Sequence, residues 1–272
     1  MTMRVSRMMV PLALVAAVGC SAVQTTEQGV VGVGRTQYMS GLVSPQQVEQ
    51  AAAQNYAQTL VDAKSKGVLN TDSAAVRRVS AIAKRLIAQA PRFRPDAAKW
   101  DWQINVIDSE EVNAWCMPGG RIAVYTGMID TVKATDDELA AVIGHEIAHA
   151  LREHTREQMS RQMAANLGVS VLGAATGSAA ARDLGGTFSQ VMFTLPNSRE
   201  AESEADAIGV ELAARAGYDP RAAVTLWQKM AALNQGGSLE ILSTHPSPAS
   251  RIADLRQKSE VVMPLYQQAA KR

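Results

Sequence analysis

Two histidines four residues apart constrain this chain more than any other feature, in the segment His145-Glu146-Ile147-Ala148-His149. On an α-helix, residues at this spacing lie on one face, so both imidazoles can bind one metal ion. Glu146 then points beside the metal, where it can accept a proton from a bound water. We therefore predict one Zn2+ per chain, bound by His145 and His149, with Glu146 as the general base.

The third metal ligand must come from another part of the chain. Metzincins extend this motif with a glycine and a third histidine, but here those positions are Arg152 and Thr155. His154 follows His145 by nine residues, which turns it away from the ligand face of the helix. A catalytic zinc site needs one more protein ligand, and the acid-rich segment 198–209 supplies the candidates.

Helical geometry divides the acids of that segment between two stripes. The first stripe joins two acids to small residues, which let another helix approach closely: Glu202, Asp206, Gly209, Ala213 and Ala216. The second is charged and typical of a solvent-exposed face: Glu200, Glu204, Glu211 and Arg215. We predict Glu202 as the third ligand, with Asp206 holding a ligand histidine in its metal-binding tautomer. An ordinary charged surface helix is the alternative.

Together, these motifs resemble a known family. HEIAH followed by Glu202-Ser-Glu-Ala-Asp206 is similar to the zinc metallopeptidases typified by the CAAX prenyl endopeptidase and HtpX, and to their soluble bacterial periplasmic lipoprotein members such as BepA. The resemblance extends over roughly residues 45–260 and includes Asn113 to Gly120 and Thr244-His-Pro246. It implies zinc ligation by Glu202. Trp115-Cys116 departs from the family pattern, which leaves the shape of the substrate groove open.

This resemblance implies an α+β, mostly helical fold, with a zincin-like (gluzincin) catalytic core and a small β-sheet beside the HExxH helix. Periodicity and capping signals predict helices near 45–65, 72–90, 198–216, 220–234 and 247–258. They also predict a strand around Trp100 to Val106, a second strand at Arg121 to Thr126, and a capping box at Thr135 that opens the HExxH helix. We expect Gly120 to Tyr125 to be the edge strand that pairs with substrate, or else to complete the sheet only.

The N-terminus predicts an exported lipoprotein. Arg4 and Arg7 precede an apolar run that is too short to span a membrane, and Ala17-Val18-Gly19-Cys20 resembles a lipobox. We therefore divide the chain into a lipoprotein signal peptide at 1–19, a tether at 20–42, and a zinc metallopeptidase domain at 43–272. Acyl chains on Cys20 would anchor it to the periplasmic face of the outer membrane. Plain secretion, with cleavage near Ala17 or Gly19, is the alternative.

The charge balance argues against a nucleic-acid partner. Residues 1–19 contain two arginines and no acid, so their removal from 27 basic and 26 acidic residues leaves 25 basic against 26 acidic. With Cys20 lipidated, Cys116 has no partner for an intramolecular disulfide and is predicted to be a small buried residue. The uncharged stretch 163–181 is interrupted by polar residues, and we favour a helical lid or a membrane-facing loop over a transmembrane segment.

Two further residues are candidates near the metal. His245 precedes Pro246 and is either a loop residue, a fourth ligand in a resting state, or a donor to the oxyanion. Arg251 is the other candidate for oxyanion stabilisation. We expect hydrolysis of peptide bonds in misfolded or misassembled envelope proteins, through Glu146-assisted attack of zinc-bound water, and a possible link to envelope assembly machinery. A zinc-binding accessory protein that holds clients without cutting them is the rival function, and a helical lipoprotein without metal is a third.

Overall fold

A computed structural model describes residues 20–173, 184–234, 239–246 and 249–271. The helices of this part are α1 (Pro45–Ser65), α2 (Ser73–Ile87), α3 (Thr126–Asp130), α4 (Asp136–Leu151), α5 (His154–Gly173), α6 (Leu184–Phe193), α7 (Arg199–Arg215), α8 (Ala222–Leu233), α9 (Glu240–Thr244) and α10 (Ala249–Ala269). Its strands are β1 (Cys20–Val23), β2 (Gln37–Ser40), β3 (Gln103–Ile107), β4 (Ala114–Met117) and β5 (Arg121–Tyr125). The predicted α+β, mostly helical class is confirmed.

Helix α4, which carries His145 and His149, is the centre of the fold. The predicted capping box opens it: Thr135 accepts from the Glu138 backbone N–H, and Glu138 accepts from that of Thr135. Every residue from Glu138 to Leu151 is buried, because α2, α7, α8 and β4 all pack around this helix. The metal-binding motif therefore lies in the protein interior, on an element covered from several sides.

Helix α7 crosses α4 at a point where both helices carry glycine. A Cβ atom on Gly209 would lie 2.8 Å from the backbone nitrogen of His145, and one on Gly144 would lie 2.9 Å from the carbonyl oxygen of Gly209. Only hydrogen side chains on both helices permit this approach. The prediction that the small-residue stripe of α7 faces the HExxH helix is confirmed at this crossing.

Strand β5 is the central strand of the sheet beside α4, in the order β3-β5-β4. It pairs parallel to β3, with Ile104 opposite Ile122, and antiparallel to β4, with Cys116 opposite Ile122. The prediction that β5 is an edge strand is wrong, since it is buried and paired on both sides. The edge toward the active-site groove is β4, a four-residue strand whose uniformly buried residues show no alternation of polar and apolar side chains.

Residues 20–42, predicted to be a tether, instead form a hairpin that packs on the domain. Strands β1 and β2 pair antiparallel, from Cys20 opposite Ser40 to Val23 opposite Gln37. Gln37 is fully buried, and its side-chain amide donates to the Arg152 carbonyl at 2.7 Å and to Glu157 Oε2 at 2.8 Å. This segment is attached to the domain largely by hydrogen bonds between polar groups. Because such contacts need no regular spacing of apolar residues, the sequence pattern favoured a tether.

The second stripe of α7 is also covered rather than exposed to solvent. Glu204 and Glu211 are 7% and 1% exposed. The backbone N–H groups of Val30 and Val31 donate to Glu211 Oε2 at 2.8 and 3.1 Å. The prediction of a solvated face is therefore wrong at these two acids, because the N-terminal segment lies over them and supplies their donors.

The described helices include none that is both long and apolar enough to cross a bilayer. Helix α5 contains the first part of the uncharged stretch 163–181. The predicted lid or membrane-facing loop over the rest of that stretch, from 174 onward, lies outside the described residues, as does the predicted signal peptide 1–19.

Candidate metal centre

Three side chains from α4 and α7 converge as the sequence predicts. The Nε2 atoms of His145 and His149 lie 3.0 Å apart. Glu202, one turn into α7, places one carboxylate oxygen 3.5 Å from His145 Nε2 and the other 3.3 Å from His149 Nε2. The close crossing of the two helices brings this carboxylate to the imidazoles.

His245 is the fourth member of the cluster. Its Nδ1 faces the Ile241 carbonyl at 3.2 Å, which turns its Nε2 toward Glu202 at 4.0 Å. One donor atom each from His145, His149, Glu202 and His245 can be chosen so that all lie within 4.8 Å of one another, and all four residues are buried. The structure therefore brings His245 to the site, at the end of α9, and does not leave it in a remote loop.

The donor set fits a divalent cation. Both carboxylate oxygens of Glu202 are buried without a hydrogen bond, although Arg251 Nη1 lies 2.7 Å from one of them. When imidazole nitrogens and a carboxylate face one another in the protein interior, a shared metal ion satisfies all of them at once. Two or three imidazoles with one carboxylate are donors typical of zinc.

Asp206 and Arg251 form the layer behind the cluster. Asp206 Oδ1 lies 3.0 Å from His145 Nδ1, so the carboxylate can accept that N–H and leave Nε2 free for a metal. Arg251 donates to both oxygens of Asp206, at 2.9 and 2.8 Å, and packs over the Trp227 ring. Burial acts to raise the pKa of Asp206, but the Arg251 guanidinium and His145 hold it below its usual value.

Arg251 pairs with the carboxylates of Glu202 and Asp206 and does not line the groove in front of the cluster. The guanidinium spans Glu202 and Asp206, and the side chain is 4% exposed. Its predicted contact with a substrate oxyanion therefore has no support in this arrangement. Its geometry suits positioning of the two acids instead.

Glu146 lies at the floor of the groove, beside the ligands. One carboxylate oxygen is buried without a hydrogen bond, and it lies 3.5 Å from His245 Nε2. Burial raises the pKa of Glu146 above its usual value, although the nearby His245 and His145 oppose that shift. A carboxylate with a raised pKa is better suited to hold a proton during a reaction near neutral pH.

The groove is bounded by the edge strand β4 on one side and by α6 on the other. Trp115 of β4 contacts the ring of Phe193 edge-to-face at 6.0 Å between centroids, and Tyr56 of α1 supports it from behind at 5.7 Å. Cys116 is free and buried, as predicted. The Trp115-Cys116 departure from the family pattern therefore forms part of the groove wall.

Two site residues escaped prediction from the sequence. His154 approaches His149 from the side opposite the cluster, with 2.9 Å between their Nδ1 atoms, and Glu204 lies 3.0 Å from His154 Nε2. His154 does lie off the ligand face, as predicted, but it contacts a ligand from behind. The available signal was a third histidine following the motif within two helical turns, in a chain with only four.

Comparison with known proteins agrees with this geometry. Residues 73–259 match the model of a family described as peptidase family M48. The chain is 40% identical over 156 residues to the mitochondrial metalloendopeptidase OMA1 of Arabidopsis thaliana, covering 57% of this chain and 31% of that protein. It is 36% identical over 185 residues to OMA1 of Schizosaccharomyces pombe, covering 66% and 51%.

A bacterial relative is more distant. The chain is 28% identical over 216 residues to the beta-barrel assembly-enhancing protease of Escherichia coli, covering 74% of this chain and 42% of that protein. The chain thus spans between about a third and a half of the length of these curated relatives. The family match over residues 73–259 includes the segments that carry the metal-binding cluster.

Proposed function

This chain belongs to peptidase family M48, and from that premise we propose that it is a zinc-dependent endopeptidase. One observation carries the proposal: two histidines, a glutamate and a third histidine converge beside a buried carboxylate at the floor of a groove. Its OMA1 relatives are also named metalloendopeptidases. We propose His145, His149 and Glu202 as the zinc ligands, with Asp206 orienting His145.

Glu146 is the proposed general base. It would accept a proton from the attacking water at its unpaired oxygen and deliver that proton to the leaving amine. A bound zinc ion would supply Lewis acidity, polarising the scissile carbonyl and making water easier to deprotonate. The edge of β4 that does not pair with β5 would hold the substrate in an extended conformation through backbone hydrogen bonds. His245 would occupy the position facing the substrate, either capping the site or donating to the oxyanion.

The test compares wild type with Glu146→Gln for zinc content and for cleavage of an unfolded protein such as reduced casein. We expect equal zinc, since Glu146 is not a ligand, and a loss of activity of about 10³-fold or more. Glu110→Gln, an exposed acid, is the matched control and should behave as wild type. Equal cleavage by Glu146→Gln and wild type would refute the proposed mechanism. Zinc binding with no cleavage by wild type would favour the rival function of holding clients.

We further propose a location in the bacterial cell envelope, with misfolded or misassembled envelope proteins as clients and contact with envelope assembly machinery. The name of the Escherichia coli relative, a beta-barrel assembly-enhancing protease, supports this choice. The OMA1 relatives carry mitochondrial names, so the cellular compartment needs its own test.

The proposed membrane anchor is acylation of Cys20, which is exposed at the start of β1. Expressed in a bacterium, the wild type should incorporate labelled palmitate and sediment with outer membranes. Cys20→Ser should lose the label. Labelled Cys20→Ser, or unlabelled wild type with a free mature N-terminus, would contradict lipidation.

A further inference from the structure

The outward-facing nitrogen of His149 is held by a second histidine. Nε2 of His149 faces the metal-binding cluster, whereas its Nδ1 lies 2.9 Å from Nδ1 of His154. Two ring nitrogens at this distance form a hydrogen bond only if one carries a proton and the other presents a lone pair. The tautomer of His154 therefore determines which ring nitrogen of His149 carries the proton.

Glu204 selects the tautomer of His154. Its Oε2 lies 3.0 Å from Nε2 of His154, and a carboxylate can only accept. A neutral His154 therefore carries its proton on Nε2 and presents the lone pair of Nδ1 to His149. His149 must then carry its own proton on Nδ1, which leaves the lone pair of Nε2 directed into the cluster.

Glu204 is itself held by two arginines. Arg152, whose side chain is fully buried, donates from Nε to Glu204 Oε2 at 3.0 Å, and Arg35 donates from Nε to Oε1 at 2.7 Å. Arg35 lies in the segment that connects β1 to β2, and it also binds Glu157 of α5 at 2.7 Å. The N-terminal hairpin thus contributes one of the cations that keep Glu204 ionised and in place.

We propose that His154 and Glu204 are positioning residues for the metal centre. They hold His149 in the tautomer that presents Nε2 to the cluster, and Arg35 makes the N-terminal segment part of this support. Asp206 does the same for His145, so each imidazole has its own carboxylate, directly at His145 and through an intervening histidine at His149. The inference rests on the proposed metal centre for its effect on affinity, but the hydrogen bonds that set the tautomer need no metal.

The first measurement uses the wild-type protein stripped of metal. Long-range ¹H–¹⁵N spectra of the ring nitrogens, assigned through His149→Gln, report which nitrogen of His149 carries the proton. We expect the proton on Nδ1. A proton on Nε2 would overturn the proposal, and this result does not depend on whether the protein binds zinc or cleaves peptides.

The second measurement compares zinc affinity, by competition with a chelator, between wild type and His154→Phe. The phenyl ring keeps the shape of the imidazole but removes both hydrogen bonds, and we expect zinc affinity to fall by roughly 10- to 100-fold. His154→Gln retains a carbonyl that can accept from His149 and should recover part of the loss. Unchanged zinc affinity in folded His154→Phe would overturn the proposal.

Glu211→Gln is the matched control. Glu211 lies on the same stripe of α7 and also binds the N-terminal segment, through Val30 and Val31, but it has no contact with either ligand histidine. This variant should lower the melting temperature and leave zinc affinity unchanged. An equal loss of zinc affinity in Glu211→Gln and His154→Phe would show that both act through stability alone, and would overturn the proposal. Absence of zinc binding by wild type, with the expected tautomer present, would count against the proposed function and not against the support of His149.

Discussion

Gly209→Ala tests whether the crossing of α4 and α7 is as tight as the structure requires. The new Cβ would lie 2.8 Å from the His145 nitrogen and 2.9 Å from its Cα, where ordinary contacts begin at 3.4 Å. The shortfall is about 0.6 Å, and it is against backbone atoms, which cannot move aside by a change of rotamer. The two helices must separate, with His145 displaced from Glu202.

Two opposing energies set the size of the effect. Alanine in a helix interior is favoured over glycine by about 1 kcal/mol. Overpacking against an immobile neighbour costs up to about 3 kcal/mol, so the variant should be less stable by about 2 kcal/mol. For a domain of this size, that corresponds to a melting temperature lower by roughly 4–8 °C.

Thermal unfolding should be measured with a chelator present, because a metal bound to the native state would add its own stabilisation. Gly41→Ala is the control, since a Cβ there meets nothing within 4 Å. We also expect weaker zinc binding for Gly209→Ala and unchanged zinc binding for Gly41→Ala. A melting temperature equal to wild type or higher would mean that the helices are farther apart than described, and the argument for how Glu202 reaches the histidines would be refuted.

Two further predictions concern His245 and Glu157. His245→Ala should retain zinc through His145, His149 and Glu202 and cleave faster, because His245 Nε2 lies beside Glu146 and Glu202. A fall in turnover of roughly 10²- to 10³-fold would identify an oxyanion donor instead, and unchanged turnover would identify a loop residue. Burial acts to raise the pKa of Glu157, but its hydrogen bonds with Arg35 and Gln37 lower that pKa to about 2. The ionised carboxylate therefore stabilises the fold above its ordinary pKa of 4.5. This contribution is lost as the pH falls from 4.5 toward 2. The shift of the Glu157 pKa corresponds to about 3 kcal/mol, and partial contact with solvent lowers this value. The unfolding free energies of wild type and Glu157→Gln should therefore differ by about 2 kcal/mol at pH 7 and converge near pH 2. A difference that does not depend on pH would contradict the low pKa.

Local periodicity was sufficient to predict the central residues of the candidate site. His145 and His149 share a helix face, and Glu202 shares a stripe with Gly209, so the relation of each pair is set by 3.6 residues per turn. The capping box at Thr135 was also predictable, because its two hydrogen bonds join residues three apart. These features need no knowledge of what packs against the helix.

Features that depend on distant partners escaped prediction. Strand β4 lies at an edge because β5 pairs with β3, which a four-residue buried segment cannot reveal. Glu204 is buried because Arg35, 169 residues away, binds it. In the sequence, a charged residue on a solvent-exposed face cannot be distinguished from one that is buried and fully paired. Hydrophobic periodicity therefore predicted exposure for Glu204, which the structure places in a buried ion pair.

Because of the contact between Gly144 and Gly209, the relative positions of the site residues do not depend on the length of the chain that connects α4 to α7. Because the two backbones touch at that point, the location of Glu202 relative to His145 depends on the crossing and not on the route between α4 and α7. We therefore expect a change in the length of the connecting chain beyond α5 to leave the ligands in place. A sliding of α7 by one helical turn, about 5.4 Å, is the change that the crossing forbids, since it would replace glycine at the contact with a side chain. The pair of glycines, and not the chain between the helices, therefore sets the spacing of the ligands.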